Sequence, residues 1–372
     1  MVSLLSCGRF IKRRLVDLGC EELISMKAVR IIGYEQAVYT DIPVPVPTAD
    51  ELLVQVMRVG VCHSDVEVFR QELGIYRSGG ASLPITVGHE WAGVVVQIGN
   101  RVQGFKPGER VTGECGIGCG HCSLCQQGLH NICLERVETG VFNRDGAYAE
   151  FLTVPAAHAH HLFDLSYQEG ALVEPCTVGL WIARRAGIQP GDQVAVIGCG
   201  TVGLMAVQTA RFFGADRVVA ASRSAFKLEL AKKMGADTLI NISEQAVAEA
   251  EHTISDGQEF SVVIEATGVA EGATLALRTA APRGRVVITG VFEKELQAID
   301  LNTIMPKELT VIGSLGGPTV FDEAVELIRQ GKLQVLPINT HTLPLSKGPQ
   351  ALAMVAHGQP DLVKVHLDCS LN

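Results

Sequence analysis

Four cysteines lie within fifteen residues of this chain, and their spacing indicates metal binding. The segment reads CGHCSLCQQGLHNIC, and gaps of two, two and seven residues separate Cys119, Cys122, Cys125 and Cys133. Zinc takes four thiolates in a tetrahedron, and a site filled entirely by protein leaves no position for a substrate. A disulfide or a thioredoxin-like role is the alternative, but this regular set favours a structural zinc ion.

A metal that does chemistry needs an open position, so it must lie elsewhere in the chain. The candidate ligands are Cys62 in GVCHSD, His89 and Glu90 in VGHEWAG, and Glu174 in LVEPC. Each also has an ordinary explanation as a buried thiol, a core histidine or a hydrogen-bonded carboxylate. Spacing alone does not join residues so distant in sequence.

A glycine motif predicts a dinucleotide site. The segment GCGTVG fits G-x-G-x-x-G, follows an apolar strand and opens a helix, which is the context that this motif requires. Its glycines allow a tight turn, close approach to a pyrophosphate and close packing of helix on strand, while the helix N-terminus faces the phosphate charge. The predicted cofactor residues here are Gly198, Gly200, Thr201, Val202 and Gly203.

The next strand favours NADP over NAD. NAD sites usually carry an acidic residue there for the ribose 2′-hydroxyl, whereas this chain reads AASRS at residues 220–224. Ser222 and Arg223 suit a 2′-phosphate, with Lys227 as a third contact, because an acid would repel that charge. If Arg223 is only a solvated charge, both cofactors are accepted. Thr267 and Thr289, in two later strand segments, are also predicted to contact the cofactor.

Composition excludes several partners. The net charge of −9 argues against nucleic acid, whose phosphates need clustered Lys and Arg. The sequence has no apolar run near the roughly 18 residues of a membrane span. Eleven cysteines without a secretory segment indicate reduced thiols and a cytoplasmic location. We therefore expect a globular protein that acts on small molecules.

The chain has two parts with different sequence patterns. From about residue 26 to 175, short apolar runs broken by Gly and Pro predict a β-rich region. From about 176, strands alternate with helices, which predicts a doubly wound parallel sheet and an α/β fold. Residues 1–25 precede the apparent first strand and look appended. Their four basic residues without an early acid faintly suggest an organelle-targeting helix, but a leader without function is the preferred interpretation.

The family resemblance of the chain rests on six features that follow one another in this order: GVCHSD, GHEWAG, the four-cysteine lobe (residues 119–133), DGAYAEF, LVEPCTVGL and GCGTVG. From Met26 to its end it resembles the zinc-dependent medium-chain dehydrogenases, and within them the polyol branch of sorbitol and threonine dehydrogenases. The resemblance implies a GroES-like catalytic domain from residues 26–175 and 318–372. It implies a Rossmann domain from residues 176–317 between these two parts.

The resemblance also implies residue roles. Cys62, His89 and Glu90 become ligands of a catalytic zinc, and Glu174 becomes a fourth ligand or the partner of the zinc-bound water. With the cysteine lobe, that makes two zinc ions per chain. Ser64 matches a hydroxyl that carries the proton away, and Lys364 in LVKVHLD matches a basic position that faces the cofactor.

The implied reaction transfers hydride between a secondary alcohol (a polyol, sugar or cyclitol) and NAD(P). Zinc would act as a Lewis acid that lowers the pKa of the hydroxyl. Many relatives are oligomers, so we expect a homodimer or homotetramer. The rivals are a zinc-free quinone or enone reductase of the same superfamily, and a non-catalytic binding protein.

Several positions depart from the family pattern. Glu67 stands where relatives often carry a histidine that finishes the proton relay, so it could replace that histidine or contact a cationic substrate group. The stretch 313–317 lacks the substrate-binding arginine of sorbitol dehydrogenases, which argues against sorbitol itself. His158, His160 and His161 suggest a metal site, but a surface loop is the preferred prediction.

Overall fold

A computed structural model describes the chain at residues 25–243, 245–255, 257, 259–292 and 301–371. The predicted N-terminal extension, except for its last residue, lies outside these ranges.

The first part of the chain is built of short strands. They are β1 (Ser25–Gly33), β2 (Gln36–Pro43), β3 (Glu51–Val61), β4 (Ile85–Thr86), β5 (Glu90–Ile98), β6 (Arg110–Gly113), β7 (Gly116–Ile117), β8 (Val137–Thr139), β9 (Asn143–Arg144), β10 (Phe151–Pro155) and β11 (Ala159–His161). The later strands are β12 (Gln193–Ile197), β13 (Arg217–Ser222), β14 (Thr238–Asn241), β15 (Phe260–Glu265), β16 (Ala280–Ile288), β17 (Thr310–Gly313), β18 (Asn339–Pro344) and β19 (Lys364–Asp368).

The helices of the first part are short, and longer ones follow. They are α1 (His63–Phe69), α2 (Gly74–Arg77), α3 (Ser123–Gln126), α4 (Tyr167–Gly170), α5 (Val173–Ala186), α6 (Thr201–Phe212), α7 (Ala225–Lys233), α8 (Val247–Ser255), α9 (Ala270–Thr279), α10 (Phe321–Arg329) and α11 (Gly348–His357). Within the described ranges, every helix is too short or too polar to span a lipid bilayer.

Both ends of the chain contribute to the main sheet of the β-rich part. That seven-stranded sheet has the order β11-β6-β5-β3-β19-β18, with β10 also paired to β3. Strand β3 therefore pairs with β5 on one side and with β19 on the other, and both pairings are antiparallel. Three-stranded sheets β2-β1-β4 and β7-β8-β9 accompany it.

The second part of the chain folds as a doubly wound sheet. Its six strands have the order β14-β13-β12-β15-β16-β17, and all five pairings are parallel. Strands β12 and β15 are Val- and Ile-rich and almost wholly buried, as expected when helices cover both faces of a parallel sheet. In sequence order this is the arrangement 3-2-1-4-5-6 of dinucleotide-binding folds. The predicted α/β fold class is confirmed.

Candidate functional site: a metal centre beside a dinucleotide fold

The turn after β3 displays Cys62. Its backbone is extended at the residue before α1, and its N–H donates to Asp65 Oδ2 at 2.9 Å. Ser64 Oγ donates to Cys62 Sγ at 3.2 Å. This capping turn holds the thiol at the N-terminus of α1.

Sheet pairing brings His89 and Glu90 to the thiol. Strand β5 begins at Glu90, which pairs with Gly60 near the end of β3. A side chain at Gly60 would collide with the Glu90 carboxylate, so the glycine leaves room for it. The ligand atoms of Cys62, His89 and Glu90 all lie within 4.8 Å of one another. The structure thus unites three predicted ligands that spacing could not join.

The chemistry of this set fits zinc, which takes thiolate, imidazole and carboxylate ligands. His89 Nδ1 lies 3.6 Å from Asp65 Oδ1, and Asp65 is fully buried and accepts a hydrogen bond from Tyr148 at 2.9 Å. A carboxylate behind a ligating imidazole fixes its orientation. Burial tends to lower the pKa of His89, but neighbouring Cys62 raises it well above its usual value. Buried negative charge therefore surrounds this histidine, and such surroundings favour the binding of a cation.

Lys364 lies on the metal side of the site. Its Nζ donates to the two oxygens of Glu90 at 2.6 and 2.7 Å and to the Val61 carbonyl at 3.1 Å. Both side chains are buried, with exposures of 3% and 2%. Burial raises the pKa of Glu90, but the Lys364 ammonium outweighs it and leaves that pKa lowered. All three N–H groups of this amine are used here. Its expected place beside the cofactor stays a prediction, and the carbonyl of neighbouring Val363 accepts a hydrogen bond from Thr201 of the glycine motif.

Glu174 stands apart from the compact set, although it is near the same centre. It lies in the first turn of α5, and burial raises the pKa of its carboxyl to about 7. It also lines a cavity of about 30 Å³ together with Cys115 and Gly317. Of the predicted catalytic residues on α1, Glu67 is buried and Ser64 is half-buried.

The four-cysteine lobe has the geometry of a thiolate tetrahedron. The Sγ atoms of all four residues lie within 4.8 Å of one another, with 3.8 Å between Cys122 and Cys133 and 4.0 Å between Cys119 and Cys125. Zn–S bonds of about 2.3 Å require S···S edges of about 3.8 Å. All four cysteines are free rather than disulfide-bonded. The lobe therefore fits a zinc ion with no open position.

The glycine motif adopts the predicted βα turn between β12 and α6. Gly198 has φ +99, which glycine adopts readily, and a side chain at Gly203 would collide with the Gly198 carbonyl. At Gly200 an added Cβ would have no atom within 4 Å, so the backbone there is open to a ligand. Thr201 and Val202 begin α6, and Thr201 Oγ1 donates to the Val363 carbonyl at 3.3 Å.

The end of β13 presents two cations. Ser222 is buried, Arg223 is exposed, and half-buried Lys227 lies in the first turn of α7. Burial lowers the pKa of Lys227, Cys199 raises it, and neighbouring Arg223 lowers it further. The two positive groups are thus close enough to repel each other, and a dianion between them would relieve that repulsion.

Glu265 organises the loop after β15 and was not singled out from the sequence. It is fully buried, and its Oε1 accepts hydrogen bonds from Thr267 N at 2.7 Å and Gly268 N at 3.1 Å. Thr289 N donates to the Glu265 carbonyl at 3.1 Å, so both predicted threonines surround this residue. The sequence does contain a signal for Glu265, namely an acidic residue at the end of an apolar strand. A buried carboxylate there needs hydrogen-bond donors, which the backbone of the next loop can supply.

The sequence analysis also missed Asp65 and Glu114. Asp65 occupies the third position of α1, where an acidic side chain can accept a hydrogen bond from the backbone of the capping residue. This position in the sequence could have identified Asp65 as a structural residue of the site. Glu114, just after β6, contacts the imidazoles of His130, His158 and His160. The prediction of a surface loop at His158–His161 is wrong for His158 and His160, whose side chains are only 15% exposed, because β11 pairs with β6 there.

Comparison with known proteins gives consistent matches over most of the chain. The alcohol dehydrogenase GroES-like domain matches residues 48–164, and the zinc-binding dehydrogenase family matches residues 201–330. Sorbitol dehydrogenase of Bacillus subtilis is 31% identical over 343 residues, which are 92% of this chain and 96% of that protein. L-threonine 3-dehydrogenase of Chromobacterium violaceum is 32% identical over 333 residues, 88% of this chain and 95% of that protein.

A solved structure agrees with these matches. A structure from Sinorhizobium meliloti, described as a zinc-binding dehydrogenase bound to NADP, superposes with a TM-score of 0.85 at 33% identity. The alignment covers 93% of this chain and 99% of that one.

Proposed function

The chain belongs to the zinc-dependent medium-chain dehydrogenases, and we propose that it transfers hydride between a polyol-like secondary alcohol and NADP at the centre formed by Cys62, His89 and Glu90. Membership rests on the two family matches and on relatives above 30% identity, and it confirms the resemblance seen in the sequence. The protein is an NAD(P)-dependent alcohol dehydrogenase. The single observation that carries the site proposal is the close set of a half-buried thiol with a buried imidazole and a buried carboxylate at the end of β3.

Each residue at this centre has a separate proposed role. A zinc ion bound there would supply a Lewis acid that lowers the pKa of an alcohol hydroxyl, and a bound nicotinamide would supply the hydride acceptor. Cys62, His89 and Glu90 would hold the ion, and Glu174 would complete the shell or accept a hydrogen bond from solvent beside it. Lys364 donates to both oxygens of Glu90 and would so weaken this carboxylate as a ligand.

Proton release is assigned to α1. Ser64 already contacts Cys62 Sγ, and Glu67 lies three residues further along the same helix. Residues three apart share one face of a helix, so Glu67 can receive a proton that Ser64 passes on. This arrangement would replace the histidine relay of relatives by a carboxylate.

The substrate class is tested by a panel assay. Purified enzyme is offered polyols, aldoses, cyclitols and L-threonine, each with NADP and with NAD, and reduced nicotinamide is recorded. We expect turnover with at least one secondary alcohol and a preference for NADP. If the enzyme reduces quinones or enones but oxidises no alcohol, the zinc-centred proposal fails and the zinc-free rival is correct.

Arg223→Ala should weaken NADP binding selectively. Losing one charged contact to the 2′-phosphate costs about 1.5–3 kcal/mol, which raises KM for NADP by roughly 10- to 100-fold. KM for NAD should stay unchanged because NAD lacks that phosphate. Steady-state kinetics with both cofactors gives the answer, with Lys232→Ala in α7 as the matched exposed cation. Equal changes for both cofactors would contradict the assignment of Arg223.

We propose a homodimer that forms through the edge of the six-stranded sheet. Among the described residues β17 pairs only with β16, and Val311 in this strand and Leu315 just beyond it are exposed. An unpaired apolar edge favours pairing with a second copy. Val311→Lys should shift the sedimenting species towards monomer, whereas Val46→Lys, at an exposed position after β2, should leave it unchanged. An unchanged dimer in Val311→Lys would exclude this edge.

We also expect the enzyme to work in the cytoplasm. Its four-cysteine lobe binds zinc only as thiolates, which a reducing compartment preserves.

A further inference from the structure

The buried carboxylate of Glu114 contacts three histidines at the junction of the four-cysteine lobe with the seven-stranded sheet. Glu114 follows β6 and is 6% exposed, while His158 and His160 come from the turn before β11 and from β11 itself. The antiparallel pairing of β6 with β11 sets these side chains side by side, and Glu114 N donates to the His158 carbonyl at 3.0 Å. His130 arrives from the cysteine lobe, just before Cys133.

The imidazole nitrogens converge on one carboxylate. Glu114 Oε2 contacts His130 Nε2 and lies 3.0 Å from His158 Nδ1, while Oε1 lies 3.0 Å from His160 Nε2. The side chains of these three histidines are only 14–15% exposed. A carboxylate only accepts hydrogen bonds, so each nitrogen that faces it must carry a proton or share a cation with it.

His160 shows that the cluster needs additional positive charge. Its Nδ1 lies 2.7 Å from Asp322 Oδ1 on α10, while its Nε2 faces Glu114. A neutral imidazole has a single N–H, so one of these contacts would set a lone pair against a carboxylate oxygen. Either a second proton or a metal ion removes that repulsion. A carboxylate behind an imidazole is also the arrangement that orients histidine ligands of metals.

Ligand geometry supports the metal. The ligand atoms of Glu114, His130 and His158 lie within 4.8 Å of one another. With bonds of about 2.1 Å, two ligands of one ion can be at most about 4.2 Å apart, so only small side-chain rotations are needed. The adjoining cavity of about 30 Å³, lined by Glu114 and His130, has room for one or two water molecules as further ligands.

We propose that Glu114, His130 and His158 bind a third divalent transition-metal ion, with His160 as an additional nitrogen ligand held by Asp322. Two or three imidazoles with one carboxylate are a donor set for first-row metals such as zinc and cobalt. The ion ties the cysteine lobe to the sheet and, through Asp322, to α10. It lies at the same small cavity as Glu174, but it shares no ligand with the centre at Cys62 or with the four-cysteine lobe.

The test is a count of metal ions with a spectroscopic label. Purified enzyme is dialysed against Co²⁺, and bound zinc and cobalt are counted by mass spectrometry. We expect one ion more than the two thiolate centres hold, with ligand-field bands in the visible region. Because the cluster contains no sulfur, this ion should give no thiolate-to-cobalt charge-transfer band. If no metal binds beyond the thiolate centres, the cluster is a hydrogen-bonded network and the proposal is overturned.

Variants assign the ion to the cluster. His158→Gln should lose the additional ion and retain the other two, whereas His161→Asn, the neighbour in β11 outside the cluster, should keep all three. If His158→Gln does not fold, Glu114→Gln serves instead, because it keeps the shape and removes the negative ligand. Full uptake in a folded cluster variant would overturn the proposal. Loss of metal from the centre at Cys62 can be told apart from loss at the histidine cluster, because it would remove the Cys62-to-cobalt charge-transfer band and abolish turnover.

Discussion

Cys62→Ala should abolish turnover while the protein stays folded. The thiolate is the ligand between β3 and α1, and without it His89 and Glu90 hold only part of a coordination shell. Lewis-acid stabilisation is worth several kcal/mol, so kcat should fall by at least about 10³-fold. Removing a negative group from a site that already buries Asp65, Glu90 and Glu174 does not create an unpaired charge there.

The control for this variant is another cysteine of the same part of the molecule. Cys369 is buried beyond the end of β19, packs in the core of the β-rich part and donates its backbone N–H to the Met57 carbonyl, five residues before Cys62 in the chain. Cys369→Ala should keep its activity, and both variants should retain the circular dichroism of the parent enzyme. Undiminished turnover in a folded Cys62→Ala protein would refute the proposed centre.

Cys122→Ala should destabilise the protein and release one zinc ion. The lobe between Cys119 and Cys133 has only the short helix α3 and a 3₁₀ turn of its own, so the ion supplies much of its order. A structural zinc contributes about 10–16 kcal/mol to the folding of small zinc peptides. Because the remaining chain has its own cores, we expect a loss of roughly 2–5 kcal/mol here and, for a chain of this length, a Tm lower by roughly 3–6 °C.

The matched variant is His121→Ala, in the same loop. His121 is exposed, and its Nδ1 lies 2.9 Å from the Cys119 carbonyl. A nitrogen of His121 also lies within 4.8 Å of Cys119 Sγ, but four thiolates already complete a tetrahedral zinc shell. The variant should bind the full complement of zinc and melt like the parent. Calorimetry with zinc analysis makes the comparison. A Cys122→Ala protein with parental Tm and zinc content would show that the four cysteines do not form a structural site.

Local patterns account for the parts that the sequence predicted well. The cysteine spacing places four thiolates on one short loop, and the glycine motif specifies a turn that requires glycine at residues 198 and 203. In both cases the residues that cooperate are close in sequence, so their types and spacing are sufficient. The alternation of apolar strands and helices after residue 176 likewise specified the doubly wound sheet.

Long-range pairing explains what the sequence could not supply. Lys364 meets Glu90 because β19 joins β3 on the side opposite β5, which brings together residues 274 positions apart. Sequence reasoning treated each as a separate position, and the resemblance, which implied a place for the amine beside the cofactor, gave no sign of its contact with Glu90. His158 and His160 were assigned to a surface loop for a similar reason, since only the pairing of β6 with β11 places them beside Glu114.

Anomalous scattering at the zinc absorption edge, from crystals of the enzyme, tests the central claim most directly. We predict a peak bonded to Cys62 Sγ and the His89 imidazole, with a carboxylate of Glu90 or Glu174 beside it, in addition to the peak within the four-cysteine lobe. A zinc-replete crystal with a peak in the lobe and none at Cys62 would contradict the account.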